Sequence, residues 1–273
     1  MKNIVFSTEH RCQKKQISLS HLTVRLAHLF ALQIYGDFSG YSDIARGVSK
    51  LFGIEPCLNF RQPYLSANIT DFWRRWHISL SSWLRDYLYI SLGGNRCGKV
   101  RTYTNLMLTM LLGGLWHGAA WTFVIWGGLH GLYLMAHKAF TGKKVNSSEA
   151  EESPRTWTQI LVKIFSILGT FHLVCFAWIF FRADSLNDAL VYVSRLGSVH
   201  GKTIGEGGLE LYSIFFLYLL TVLLIDWLCE RTKSETPSLP KNPYLRGCFY
   251  GCALFLLVFI GSSDSVPFVY FQF

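Results

Sequence analysis

A histidine lies in the middle of an apolar, glycine-rich stretch, GGLWHGAAW at residues 113–121. An ionisable side chain is costly inside such a segment, so His117 is a functional candidate by default. Burial favours the neutral imidazole, and a neutral imidazole with an unprotonated nitrogen is what a general base requires. The small residues around His117 favour one of two interpretations, which are close helix packing and room for a substrate chain.

A second candidate, His77, belongs to the segment DFWRRWHISLSSWLRDYLYI at residues 71–90. At 100° per residue this segment forms an amphipathic helix, and His77 falls on its aromatic face rather than among its arginines. Tryptophan and arginine together are typical of a membrane interface. The side chains of Arg74, Arg75 and Arg85 therefore have two interpretations, which are attraction of an anionic donor and anchoring to lipid headgroups.

The other polar groups carry weaker hypotheses. Asp37 and Asp43 are interpreted as orienting a histidine or an arginine. His130 lies near the helix angle of His117, although the intervening glycines interrupt that register. The remaining histidines are predicted to be surface or structural groups, and they are His10, His21, His28, His137, His172 and His200.

No short motif indicates another chemistry. The chain has no nucleophile elbow, phosphate-binding loop or dinucleotide fingerprint, so a hydrolase serine and a nucleotide site are not predicted. Seven cysteines occur without a CxxC pair, which argues against a zinc site and against a disulfide framework. We expect no bound metal.

The elements that position these residues are apolar runs. The chain has 273 residues, of which 51% are hydrophobic, and they are concentrated rather than dispersed. Residues 161–181 and 211–228 are long enough to cross a hydrocarbon core of about 30 Å as helices, whereas 248–260 is short. Residues 104–137 exceed one span and are interrupted by glycines. We therefore predict an integral membrane protein.

The polar segments complete this organisation. The net charge of +9 comes mostly from residues beside the apolar runs, which favours membrane-flanking loops over nucleic-acid binding. We predict a helix over 17–35, a helix break and a short amphipathic helix over 36–53, and a short amphipathic helix within 182–208. The whole chain, 1–273, is predicted to form one membrane domain, with 141–157 as a polar surface loop.

Three long blocks carry a resemblance to a known family. They are QIYGDFSGYSDIARG (33–47), the segment from NFRQPYLSANITDFW to ISLGGNR (59–96), and LLGGLWHGAAWTFVIWGGLHG (111–131). Together they resemble the membrane-bound O-acyltransferase family. Among its branches the sequence is most similar to bacterial alginate O-acetyltransferases, and the D-alanyl transfer proteins of teichoic acid modification are more distant.

The resemblance implies a fold, a site and a reaction. The fold is an all-α polytopic membrane protein with broken or re-entrant helices and interfacial amphipathic helices. His117 matches the family's buried histidine, the general base, and His77 matches its second functional position. The implied reaction moves an acetyl or other acyl group from acetyl-CoA or another acyl thioester to hydroxyls of an exopolysaccharide such as alginate. The family is located in the inner membrane of the cell as a multi-pass protein and holds no cofactor of its own.

The implied partners are the thioester donor, membrane lipids, and either the polysaccharide or a downstream periplasmic acetyltransferase. Family members carry further helices before the block at 33–47, so we expect this chain to match the C-terminal portion of the family's fold. Alternatives remain open at this point. They are a non-catalytic membrane partner or acyl conduit for a separate periplasmic acetyltransferase, a D-alanyl transfer-type acyltransferase, and an inactive truncated fragment.

Overall fold

The computed structural model describes residues 19–141, 156–196, 208–232 and 242–259. Every regular element in these four ranges is helical, which confirms the predicted all-α class. The described residues divide into two compact units, which lie within residues 16–209 and within residues 210–259. His10, His200 and most of the predicted loop 141–157 lie outside the described residues, as do the side chains of His21 and Arg25.

The helices are numbered in chain order. They are α1 (Leu19–Leu51), α2 (Ile69–Arg75), α3 (Ile78–Trp83), α4 (Gly98–His117), α5 (Trp121–Thr141), α6 (Trp157–Arg182), α7 (Leu186–Leu196), α8 (Gly208–Thr232) and α9 (Pro243–Phe259). A 3₁₀ turn at Pro63–Leu65 precedes α2, and a π-helix at Leu84–Tyr89 follows α3.

Helix α1 is continuous where the sequence predicts a break. It runs through Gly36 and Gly40 without interruption, so the predicted break within 36–53 is wrong. A glycine inside a helix costs about 1 kcal/mol. The face of α1 that buries Phe30, Ile34 and Phe38 outweighs this cost, because each buried large apolar side chain contributes about 1.5–3 kcal/mol.

The predicted single helix over 71–90 is instead divided at Trp76 and His77. Helix α2 ends at Arg75, and His77 has a left-handed backbone with φ 43° and ψ 57°. The preceding loop takes up the backbone groups freed by this break: the Arg61 amide donates to the Arg75 carbonyl, and the Ile78 amide donates to the Asn59 carbonyl, both at 3.0 Å. The prediction of one helix is wrong because it used only the periodicity of residues 71–90, whereas the partners that stabilise the break, Asn59 and Arg61, lie before this segment.

Helices α4 and α5 form a tightly packed hairpin. A Cβ added at Gly114 would lie 2.3 Å from the Phe123 carbonyl oxygen, and one at Gly127 would lie 2.3 Å from the Met110 carbonyl oxygen. These glycines therefore allow the two backbones to touch. For Gly114, close helix packing is the interpretation that the structure supports. Among the glycines in 104–137, only Gly118 lies at an interruption of the helices, and the others lie within α4 or α5.

Helix α6 is the one helix in the described ranges that is both long and apolar enough to cross a membrane. It has 26 residues. The helix covers the predicted span 161–181. Its N-terminal half exposes large apolar side chains such as Val162 and Phe165, whereas its C-terminal half, around Trp178, is buried. The protein therefore has an apolar surface suited to lipid.

The remaining described elements agree with their predicted types. Helix α7 corresponds to the predicted short amphipathic helix within 182–208, and α8 and α9 cover the other two apolar runs. The glycine-rich loop before α4 is held by the buried Asn105, whose Nδ2 donates to the Leu92 carbonyl at 3.0 Å and the Gly94 carbonyl at 3.2 Å.

Candidate active site

His117 is the last residue of α4, and aromatic side chains surround its ring. Its ring centroid lies 5.2 Å from that of Trp126 on α5 and 5.0 Å from that of Phe181 on α6. The neighbouring Trp116 contacts it at 4.9 Å. All three contacts are edge-to-face, an arrangement that aromatic rings prefer. Three helices thus fix the orientation of the His117 imidazole.

His77 reaches the same region from the break between α2 and α3. Its ring contacts Phe38 of α1 edge-to-face at 4.7 Å, and its centroid lies 6.4 Å from that of Trp116. Because Trp116 contacts both histidines, the structure brings the two sequence-predicted site histidines together around one indole.

An open, mostly apolar depression of about 320 Å³ lies on the His77 side of this indole. Its lining residues are His77, Ser79, Leu80, Trp83 and Trp116. Trp83 and Trp116 are each about half exposed, at 50% and 56%. The depression therefore gives a ligand access to His77 along two indole surfaces.

The His77 imidazole has polar neighbours as well as aromatic ones. Its Nδ1 lies 3.3 Å from Ser79 Oγ, and that hydroxyl donates to Asn59 Oδ1 at 2.6 Å. Burial lowers the pKa of His77 to about 4, because the imidazolium loses hydration there. The ring is consequently neutral at cellular pH, as acceptance of a proton from a hydroxyl requires.

A third histidine, His130, lies deeper in the core and is not among the site residues predicted from the sequence. It is completely buried on α5. Its Nδ1 accepts a hydrogen bond from Trp73 Nε1 at 3.3 Å, so the neutral ring carries its proton on Nε2. That Nε2 has no hydrogen-bond partner among the described residues. Trp126 contacts both His130 and His117. The i, i+4 spacing of Trp126 and His130, which places both on one face of α5, is the sequence signal that could have identified His130.

The three candidate arginines have different surroundings. Arg74 is exposed. Arg75 is partly buried and forms an ion pair with Asp71, with Nε 3.0 Å from Oδ1. Arg85 pairs with its neighbour Asp86, with Nε 2.7 Å from Oδ1, and is 62% exposed. Of the three, Arg74 is the one that is exposed and has no carboxylate partner among the described residues.

The two candidate aspartates lie on α1. The Asp43 carboxylate lies 3.8 Å from Arg46 Nη1 and is 67% exposed, so an arginine is one of its neighbours. Asp37 is also exposed, and its side chain is hydrogen-bonded to Gln33. Asp37 precedes Phe38, the residue that contacts His77.

Other histidines have structural contacts of the expected kind. His137 Nδ1 lies 2.9 Å from Thr70 Oγ1, which joins α5 to α2. His172 Nδ1 lies 2.7 Å from the Leu168 carbonyl oxygen, one turn earlier on α6. His28 contacts the His172 ring at 5.1 Å between centroids.

Comparison with known proteins gives a consistent result. Residues 4–181 match the family model of the membrane-bound O-acyltransferases. The chain is 51% identical over 224 residues to a probable alginate O-acetylase of Pseudomonas fluorescens, and this alignment covers 78% of this chain and 43% of that protein. It is 35% identical over 280 residues to a peptidoglycan O-acetyltransferase of Helicobacter pylori, covering 95% of this chain and 51% of the relative.

A more distant relative is a teichoic acid D-alanyltransferase of Bacillus subtilis, 36% identical over 161 residues, or 56% of this chain and 39% of that protein. The chain thus spans about half or less of the length of each of these relatives.

Proposed function

Because the chain belongs to the membrane-bound O-acyltransferase family, we propose that it transfers acetyl groups from a thioester donor to, or towards, hydroxyls of an exopolysaccharide. The similarity to a probable alginate O-acetylase supports alginate or a related polymer as the acceptor. The observation that carries the proposal is the meeting of His77 and His117 around Trp116.

In the proposed reaction His117 is the general base. Its neutral imidazole accepts the proton of the attacking hydroxyl while the oxygen forms a bond to the thioester carbonyl carbon. The carbon–sulfur bond then breaks, and the leaving thiolate takes up the proton that the His117 imidazolium holds, which restores the neutral ring. His77 assists by hydrogen bonding to the hydroxyl or to the donor. The aromatic surroundings of His117 support its role as the base, because they limit the access of water to its ring.

The donor is proposed to be acetyl-CoA or another acyl thioester, which is a substrate rather than a resident cofactor. Arg74 is the arginine best suited to an anionic donor, because Arg75 and Arg85 already pair with carboxylates. Anionic lipid headgroups compete with the donor for the positive charge of Arg74. An Arg74→Gln variant that raises the KM for the donor in detergent, where lipid is absent, would support donor binding.

The protein is proposed to reside in the inner membrane as a multi-pass protein with broken or re-entrant helices and interfacial amphipathic segments. The break at His77, the apolar surface of α6 and the helices over the other two apolar runs support this arrangement. Either the polymer or a downstream periplasmic acetyltransferase receives the acyl group.

The test is the His117→Ala variant, expressed with the polysaccharide acetylation system of a host that lacks its own copy. We expect loss of polymer acetylation with unchanged abundance in the membrane fraction. His172→Ala is the matched control, because His172 is an exposed histidine whose ring contacts His28 and Phe171 rather than the site. Acetylation that persists in His117→Ala would contradict the catalytic role.

A further inference from the structure

We propose that Asn59 and Ser79 are positioning residues that fix the tautomer of His77, with the proton on Nδ1 and the lone pair on Nε2. The consequence for acyl transfer rests on the proposed function, but the tautomer itself does not.

The orientation of the Asn59 side chain follows from a backbone group. The Ser79 amide lies 3.2 Å from Asn59 Oδ1. A backbone N–H can only donate, so the Asn59 atom that faces it must be the oxygen rather than the nitrogen. The assignment of Oδ1 is therefore fixed by the chemistry of the contact.

The Ser79 hydroxyl then has one available proton and one partner for it. Ser79 Oγ lies 2.6 Å from Asn59 Oδ1, which as a carbonyl oxygen accepts only, so the hydroxyl proton goes to Asn59. The same Oγ lies 3.3 Å from His77 Nδ1. Since the hydroxyl now offers only lone pairs on that side, His77 Nδ1 must be the donor.

A neutral imidazole carries one proton, so a protonated Nδ1 leaves Nε2 unprotonated. Nε2 makes no hydrogen bond within the described part of the chain. His77 also lines the open depression beside Trp116. The ring therefore offers its single acceptor nitrogen to a ligand that donates, such as a hydroxyl or an amide N–H.

Asn59 holds the backbone as well as the side chain. Its carbonyl accepts from the Ile78 amide at 3.0 Å, while its Oδ1 accepts from Ser79, so one residue fixes the first turn of α3. His77 has a positive φ of 43°, a conformation that a non-glycine residue adopts only when its surroundings impose it. The Asn59 contacts supply that constraint.

The test is nitrogen NMR of the full chain labelled with ¹⁵N-histidine in detergent micelles. The His77 signals are assigned by their loss in His77→Asn. We expect wild-type His77 to show the Nδ1–H tautomer alone, and Ser79→Ala to show a mixture of both tautomers. Ser79→Thr retains the hydroxyl and should retain the single tautomer. A wild-type His77 protonated on Nε2, or a Ser79→Ala spectrum identical to the wild type, would overturn the proposal.

A matched control is Ser82→Ala, because the Ser82 hydroxyl donates to the Ile78 and Ser79 carbonyls on the same helix and not to His77. Acyl-transfer kinetics provide a second readout. Ser79→Ala should lower kcat about three- to tenfold with little change in KM, the effect of one lost hydrogen bond, and Ser79→Thr should restore it. If the wild-type chain transfers no acyl group, the proposed function fails while the NMR result still decides the tautomer.

Discussion

His117 and Trp126 meet edge-to-face with their ring planes at 90° and their centroids 5.2 Å apart. Trp126 is 2% exposed and stacks on Trp178 of α6, so the residue that orients His117 is itself part of the aromatic core. The candidate base is therefore held by packing from a neighbouring helix.

Replacing Trp126 should affect stability and acyl transfer together. We expect Trp126→Ala to destabilise the protein by about 3–5 kcal/mol, because it removes a large buried ring. Trp126→Phe should retain most of the stability and part of the activity. The measurement is thermal unfolding in detergent, with Trp121→Ala as the control, since Trp121 is 72% exposed. Equal losses in the two alanine variants would contradict this view of Trp126.

The left-handed backbone of His77 predicts which substitutions preserve the fold. Asparagine and glycine adopt positive φ readily, whereas a β-branched residue does not. We expect His77→Asn and His77→Gly to remain folded but impaired in acyl transfer, and His77→Val to lose a further 1–2 kcal/mol or so of stability. Thermal unfolding of the three variants checks the order. A His77→Val variant as stable as His77→Asn would show that the backbone is not constrained.

The contact between α4 and α5 predicts a sharp difference between adjacent glycines. Gly127→Ala would place a Cβ 2.3 Å from the Met110 carbonyl oxygen, so the helices must separate. At Gly128 the nearest atom would be 3.6 Å away, on the Leu111 side chain. We expect Gly127→Ala to lower the melting temperature strongly and Gly128→Ala to leave it unchanged or raised, because alanine favours the helix by about 1 kcal/mol.

The depressed pKa of His77 predicts a dependence of stability on pH. The neutral ring is favoured in the folded protein, where the pKa of His77 is about 4, whereas the ordinary pKa of a histidine is 6.5. Between these values the unfolded chain binds a proton that the folded protein does not, so stability falls as pH decreases from about 6.5 towards 4.

The His77→Asn variant should lack the part of this pH-dependent loss of stability that comes from protonation of His77. Its melting temperature should therefore fall less steeply than that of the wild type across that range. Parallel profiles would mean that His77 titrates normally in the folded protein.

The helical class could be predicted because apolar runs are a local signal. His117 and His77 were also proposed from local signals, which are an ionisable residue inside an apolar run and a histidine on an aromatic helix face, and their roles in the site stay predictions. It did not predict the division of 71–90, because that break depends on Asn59 and Arg61, which lie outside the segment's own periodicity. The continuity of α1 through Gly36 was missed for a similar reason, since tertiary packing outweighed a local glycine signal. The complete burial of His130 was not predicted, because it depends on Trp73 and Phe72 of another helix.

The pairing of Asn59 with Ser79 also bears on the order of assembly. The two residues are only 20 positions apart, so closing this loop costs little chain entropy and needs no later part of the protein. The surroundings of His117, by contrast, require Phe181, which is synthesised much later. The bend that carries His77 can thus form early during translation, and the aromatic surroundings of His117 are completed only after α6 has been synthesised.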